Sequence, residues 1–242
     1  IEITSIGDIP SNGSGLGSSS AYTAGLLNGL HAHNGKIITP DKLASLTCLI
    51  EIDKCRRPIG KQDQYAVCFG GFNFIRFNRD GRVFVDRVKI KDSVKNRLLK
   101  RSMLFYTKLI RKPGIILEKE NENLGSDGEK RKMVKKMVEI AYEMKSLLEG
   151  DSLQGFEDLL NQNWLLKKQL ALGITNQKID RWYNLAMKKG AFGGKILGAG
   201  GGGFLYIYAP EEKRQLITEA LRELRLVEFS FEEEGCKIIY SG

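Results

Sequence analysis

The sequence predicts an α+β protein of two domains. Strand and helix patterns mix along the chain without the regular βαβ alternation of a parallel sheet. The 242 residues, 42% hydrophobic and 28% charged, suffice for two hydrophobic cores. The 27 glycines are gathered most densely in two runs, one near each end.

Residues 1–9 read as a β-strand with Ile1, Ile3 and Ile6 inward, closed by Pro10. The chain opens without methionine in the middle of that pattern, which predicts that a preceding segment is missing and that the first domain lacks its first strands. A glycine–serine loop over 11–20 leads into a helix over 21–34 that buries Leu26, Leu27 and Leu30. A second helix runs from Pro40-Asp41 to about Asp53, with Leu43, Leu46, Leu49 and Ile50 inward, until Arg56-Arg57-Pro58-Ile59-Gly60 breaks it. A short helix over 64–69 ends at Gly70-Gly71. The alternating stretches 72–77 and 82–88 flank Asn78-Arg79-Asp80-Gly81 and read as a β-hairpin.

Met103–Thr107 begins a second domain, with the boundary placed near Asp92 (1–92 and 93–242). Met133, Met137, Ile140, Met144 and Leu147 recur at helical steps and predict one long helix over 128–150. Asp151 with Gln154 resembles a capping box for a helix over 153–172 that buries Phe156, Leu160 and Trp164. Helices follow over 179–189 and 211–224. Between them a glycine-rich turn leads into a strand ending at Ala209, and Cys236–Tyr240 closes the chain as an edge strand.

Lys and Arg outnumber Asp and Glu by 38 to 29, a net charge of +9 that suits phosphate-bearing partners without choosing among them. The basic run Glu129–Lys136 has no interleaved aromatics and reads as a solvated helix face, so no nucleic-acid partner is expected. The apolar runs are too short for a membrane span. Four cysteines without a CxxC pair make a zinc site improbable and fit a cytoplasmic chain with reduced thiols. His31 and His33 lie two apart on one helix and make a poor metal pair.

The first glycine run, Gly13-Ser14-Gly15-Leu16-Gly17-Ser18-Ser19-Ser20, stands between a strand and a helix. Glycines let backbone approach a ligand closely, and a helix N-terminus offers N–H groups to an anion. The spacing fits neither a Walker loop nor a dinucleotide fingerprint. Serine hydroxyls there can cap the helix, bind phosphate or hold Mg²⁺. Glu51, Lys61 and Asp63 lie in the next acidic stretch; taken singly, Asp63 reads as a helix cap and Glu51 as a solvent-facing charge. Together with the loop they supply what phosphoryl transfer needs: a phosphate cradle, a carboxylate and hydroxyl for Mg²⁺, and an acid beside the attacking hydroxyl. The second run, Gly198–Gly203, reads as a loop closing on the reaction centre, as a turn packed tightly against the first loop, or as both.

These three stretches, in this order, resemble the GHMP kinase superfamily, and Gly60-Lys-Gln-Asp-Gln-Tyr-Ala66 resembles its heptose phosphate kinases. The resemblance implies a GHMP kinase fold with a ferredoxin-like C-terminal domain, and ATP and Mg²⁺ as cofactors. It implies that Gly13 to Ser20 bind the nucleotide, that Ser19 and Glu51 hold Mg²⁺, and that Asp63 is catalytic; Lys61, two residues from Asp63, is expected to assist by lowering its pKa or contacting the transferring phosphate. Asp63, Arg57, Gly200 and Gly201 are expected at the acceptor, a sugar phosphate. The expected reaction is phosphorylation of the anomeric hydroxyl of D-glycero-D-manno-heptose 7-phosphate. Another small-molecule kinase of the superfamily, acting for instance on a free hexose, or a catalytically silent sugar- or nucleotide-binding regulator, are the alternatives. The segment Ile110-Arg-Lys-Pro-Gly-Ile115 departs from the small and hydroxyl residues expected there. Whether Asp63 takes the proton or only orients the hydroxyl stays open at this level, as does the oligomeric state.

Overall fold

A computed structural model describes residues 2–7, 15–109 and 113–240. The described residues form two compact units, one from 1–88 with 231–242 and the other from 89–230.

In the first unit, α1 (Ser18–His33), α2 (Pro40–Cys48) and α3 (Gln62–Phe69) gather around Ala24, Leu43, Ala44, Cys48, Tyr65 and Cys68. Thr39 caps α2 by accepting from Lys42 N, and Pro40 occupies the first helical position, where its missing N–H costs nothing. The helix then widens into a π-helical turn, Leu49–Lys54. Strands β1 (Asn73–Phe77) and β2 (Val83–Arg87) form the expected antiparallel hairpin, with Asp80 accepting from Arg82 N at 3.0 Å in its turn.

Four expectations need correction here. Residues 2–7 pair with no strand among the described residues, and Ile3 and Ile6 are 55% and 96% exposed: alternation alone does not make a strand without a partner to take its hydrogen bonds. Ile1 and Ile9 lie outside the described residues. Leu26, Leu27 and Leu30 are only half-buried, because Ser20 and Ala24 occupy the inward line of α1. Of the expected inward set of the second helix, Leu43 is buried, Leu46 and Ile50 are half-buried and Leu49 is exposed; the inward face is Leu43, Ala44, Thr47, Cys48 and Glu51. Residues 236–240 form no strand, and 231–240 return to the first unit rather than completing the second. There Glu232 O accepts from Gly71 N at 2.6 Å and Cys236 N donates to Val67 O at 2.9 Å.

The second unit holds α4 (Asp92–Arg101), β3 (Ser102–Tyr106), α5 (Pro113–Ser126), α6 (Gly128–Glu149), α7 (Phe156–Leu170), α8 (Gln177–Lys188), β4 (Gly193–Ile196), β5 (Phe204–Tyr208), α9 (Arg214–Ala220) and β6 (Arg225–Val227). Its sheet is antiparallel in the order β4-β5-β3-β6, and with helices inserted after β3 and after β5 it is the expected ferredoxin-like arrangement. Met103, Phe105, Leu205 and Ile207 from the sheet pack with Trp164, Ile174, Ile179 and Trp182 from the helical side. Both tryptophans are packing residues, as their spacing predicts.

The capping box at Asp151 is absent: Asp151 pairs with Lys91, and α7 starts later behind Gly155, whose φ is 82°. The helix expected over 211–224 is shorter, a 3₁₀ turn at Glu211–Lys213 running into α9 that ends at Ala220, and Arg225–Val227 then pairs with β3 as β6. Among the described residues, no helix is long and apolar enough to cross a membrane.

Candidate active site

Glu51 is the centre of a polar cluster in the first unit. As a solvent-facing charge it would be exposed; instead it is 2% exposed. It lies one helical turn beyond Thr47 and Cys48, so it continues the inward face of α2 through the π turn, a local distortion often found at functional sites. A buried carboxylate needs partners, and each of its oxygens has them. Ser20 Oγ donates to Glu51 Oε2 at 2.6 Å, and Gln64 Nε2 donates to the same oxygen at 2.8 Å. Glu51 Oε1 accepts from the Ser19 hydroxyl and meets Arg57 Nη1 at 3.3 Å. Neutral donors thus fix one oxygen, while the other faces a hydroxyl and a cation.

The loop supplies this cluster by turning sharply into α1. Gly15 and Gly17 have φ of 75° and 72°, and Gly17 is the N-cap. Glycine offers no side chain to cap the first turn, which contains no acid, so the positive end of the helix dipole faces the loop. Ser18, Ser19 and Ser20 form that first turn, with Ser20 turned inward to Glu51 and Ser19 at the cluster's outer edge. Gly15 and Leu16 lead into them. Gly13 and Ser14 lie outside the described residues.

Helix α3 brings the second acid. A Cβ on Gly17 would lie 3.5 Å from Asp63 Cβ and 3.7 Å from its carboxyl carbon, so Asp63 stands directly beside the turn into α1. Its neighbour Gln64 points the other way, into the interior and onto Glu51. One helix start therefore places an exposed carboxylate beside the loop and anchors the buried one. Lys61, the N-cap of α3, is exposed and makes no hydrogen bond or ion pair among the described residues. Gln64 was missed by sequence reasoning; the available signal was a polar residue on the inward face of α3, in phase with Tyr65 and Cys68.

The donor set suits Mg²⁺: Ser19 and Glu51 are hard oxygen ligands already in mutual contact, with a cation drawn to their shared edge. Gln64 Oε1, a buried acceptor with no partner among the described residues, adds a further oxygen to the cluster.

The second glycine run belongs to the other unit. It connects β4 to β5, making 193–208 a hairpin with a wide loop. A Cβ on Gly200 would come within 2.6 Å of Ile174 backbone, and one on Gly202 within 2.4 Å of Leu109 O. Gly201 N donates to Ile174 O at 2.8 Å, and Thr107 N donates to Gly203 O at 2.9 Å. The run is a tightly packed turn, but its close contacts are with Ile174 and Leu109 of its own unit rather than with the first loop. Gly200 and Gly201 are placed by it. Just ahead, burial beside Lys167 pushes the Lys195 ammonium down to about 8, while Lys167 itself pairs with Glu120 at 2.7 Å. The departure at 110–112 lies outside the described residues.

Residues 1–71 match the family of GHMP kinases N-terminal domains, and 144–224 match the GHMP kinases C-terminal family. Among curated relatives, the chain is 33% identical to a D-glycero-alpha-D-manno-heptose 7-phosphate kinase of Campylobacter jejuni, over 95% of this chain and 68% of that protein. It is 26% identical to a galactokinase of Pyrococcus furiosus, over 93% of this chain and 69% of the relative. A crystal structure of a D-glycero-D-manno-heptose 1-phosphate kinase from Bacteroides thetaiotaomicron superposes with a TM-score of 0.74 at 25% identity, over 97% of this chain. This chain spans 66% of the length of that one, just under two thirds.

Proposed function

The chain belongs to the GHMP kinases, and on that premise we propose that it transfers a phosphoryl group from ATP to the anomeric C1 hydroxyl of D-glycero-D-manno-heptose 7-phosphate. The observation that carries the proposal is the convergence of Ser19, Glu51 and Asp63 on one helix start in the first unit. Mg²⁺, when bound, neutralises the phosphate charge that grows during transfer. Ser19 and Glu51 Oε1 would be its protein ligands, and Ser20 and Gln64 hold the Glu51 carboxylate in place. The turn at Gly15–Gly17 and the N-terminus of α1 receive the nucleotide phosphates. Asp63 orients the accepting hydroxyl, since positioning dominates catalysis through a loose transition state. Lys61, on the same exposed helix start, offers its charge to the transferring phosphoryl group, and Arg57 to the phosphate of the acceptor. The heptose reading is supported by the Campylobacter jejuni relative; the likeness to galactokinase supports only sugar phosphorylation more broadly.

³¹P NMR of the full-length protein with Mg-ATP tests this directly. With heptose 7-phosphate, an anomeric phosphate resonance should grow in step with ADP. ADP formed only with galactose or another free hexose would replace the substrate but keep the reaction class. ATP binding without turnover on any sugar of a panel would overturn the kinase reading.

A further inference from the structure

Arg57 sits where a metal ion would. Its Nη1 donates to the Ser19 hydroxyl and lies 3.3 Å from Glu51 Oε1, the two oxygens assigned above to the divalent cation. The guanidinium is held there by the backbone as well as by charge. Arg56 has φ of 51°, a left-handed conformation uncommon outside glycine, and this turn folds Arg57 back under the π turn. Arg57 N then donates to Glu51 O at 3.1 Å, and Ile59 N donates to Arg57 O at 2.9 Å. The Arg57 side chain is nevertheless 51% exposed against 2% for Glu51, so nothing walls it in.

A guanidinium and a divalent ion cannot share the same carboxylate oxygen and hydroxyl, because each needs their lone pairs and the two cations repel. We propose that Arg57 is the chain's own counter-cation for the metal site. It neutralises the buried Glu51 carboxylate when no divalent ion is bound, and metal binding expels it. The inference rests on the reading of Ser19 and Glu51 as cation ligands. It adds an order to that site: the guanidinium becomes available to an anionic acceptor only after the metal has replaced it.

The test measures metal binding without turnover. Mn²⁺ affinity is read by electron paramagnetic resonance on the full-length wild type, Arg57→Gln and Arg56→Gln, the last losing the same charge one residue away. Arg57→Gln should bind Mn²⁺ about two- to fivefold more tightly than both others, the range a half-exposed ion pair supports. In the wild type, Mn²⁺ should also raise phenylglyoxal modification of Arg57, read by peptide mass, which decides the matter even if a variant fails to fold. Equal gains in both variants, or Arg57 modification insensitive to Mn²⁺, would overturn the competition while leaving the metal site intact. Absence of Mn²⁺ binding in every protein would overturn the assignment of Ser19 and Glu51 along with it.

Discussion

The two glycine-rich turns look alike in sequence and differ in what surrounds them. At Gly17 the nearest atoms to an added Cβ are side-chain atoms of Asp63 and Val67 at 3.5 Å, ordinary contact distance. At Gly200 and Gly202 they are backbone atoms of Ile174 and Leu109 at 2.6 and 2.4 Å, closer than any real side chain approaches. At Gly17 a side chain would meet only other side chains, with Asp63 standing next to it. The second turn lacks side chains because the polypeptide leaves no room. Glycine density therefore marks close approach, and only the neighbours say whether the approach serves chemistry or packing.

The strongest test of that contrast is to fill both turns. Gly202→Ala should destabilise the second unit by about 3 kcal/mol or more through backbone collision, seen as a lower urea midpoint. Gly17→Ala should cost about 1–2 kcal/mol, the penalty of a left-handed alanine, with its main effect on nucleotide affinity. A Gly17 variant that unfolds more readily than the Gly202 variant would break the comparison.

Removing chemistry rather than adding bulk should do the reverse. Asp63→Asn is expected to lower kcat by on the order of 10²- to 10⁴-fold while nucleotide binding and the urea midpoint stay near wild type. Turnover close to wild type would take Asp63 out of the mechanism. Gln64→Leu removes one of two neutral donors to Glu51 Oε2 and should cost about 1–2 kcal/mol of stability, with weaker Mn²⁺ binding as the sharper readout.

Further effects follow from burial of titratable groups. An ammonium that falls from its ordinary 10.5 to about 8 leaves the unfolded chain holding more protons between those values. Stability of the second unit should therefore rise with pH across that window, and Lys195→Met should flatten the rise. In the first unit, burial pushes the Cys48 thiol up to about 11 and the Cys68 thiol to about 12. Iodoacetamide at pH 8 should accordingly label the exposed Cys55 well before either, as mass spectrometry of the peptides would show.

What the sequence made legible follows the range of the interactions involved. The hairpin at 78–81 and the long helix over 128–149 are specified locally, the latter with Asp127 accepting from Glu129 N at 2.8 Å. Helix α4 escaped notice because Val94 and Leu98 are its only fully buried residues. Strand β6 and residues 2–7 show the opposite difficulty: three residues become a strand because β3 lies beside them, and residues 2–7 do not, having no strand partner among the described residues. At the site, Ser19, Glu51 and Asp63 were readable as residue types in a fitting order. The burial of Glu51, and its dependence on Ser20, Gln64 and Arg57, came from the π turn and from contacts spanning up to 32 positions. No local pattern encodes those.

The return of residues 231–240 to the first unit bears on how the molecule is made. The second unit is one uninterrupted stretch, 89–230, and has all its strands once that stretch has left the ribosome. The first unit begins earlier in the chain but still lacks the backbone partners of Gly71 and Val67, Glu232 and Cys236. Domains usually mature in the order of synthesis; here the later one can finish first, and the unit carrying Glu51 is sealed only when the last described residues arrive.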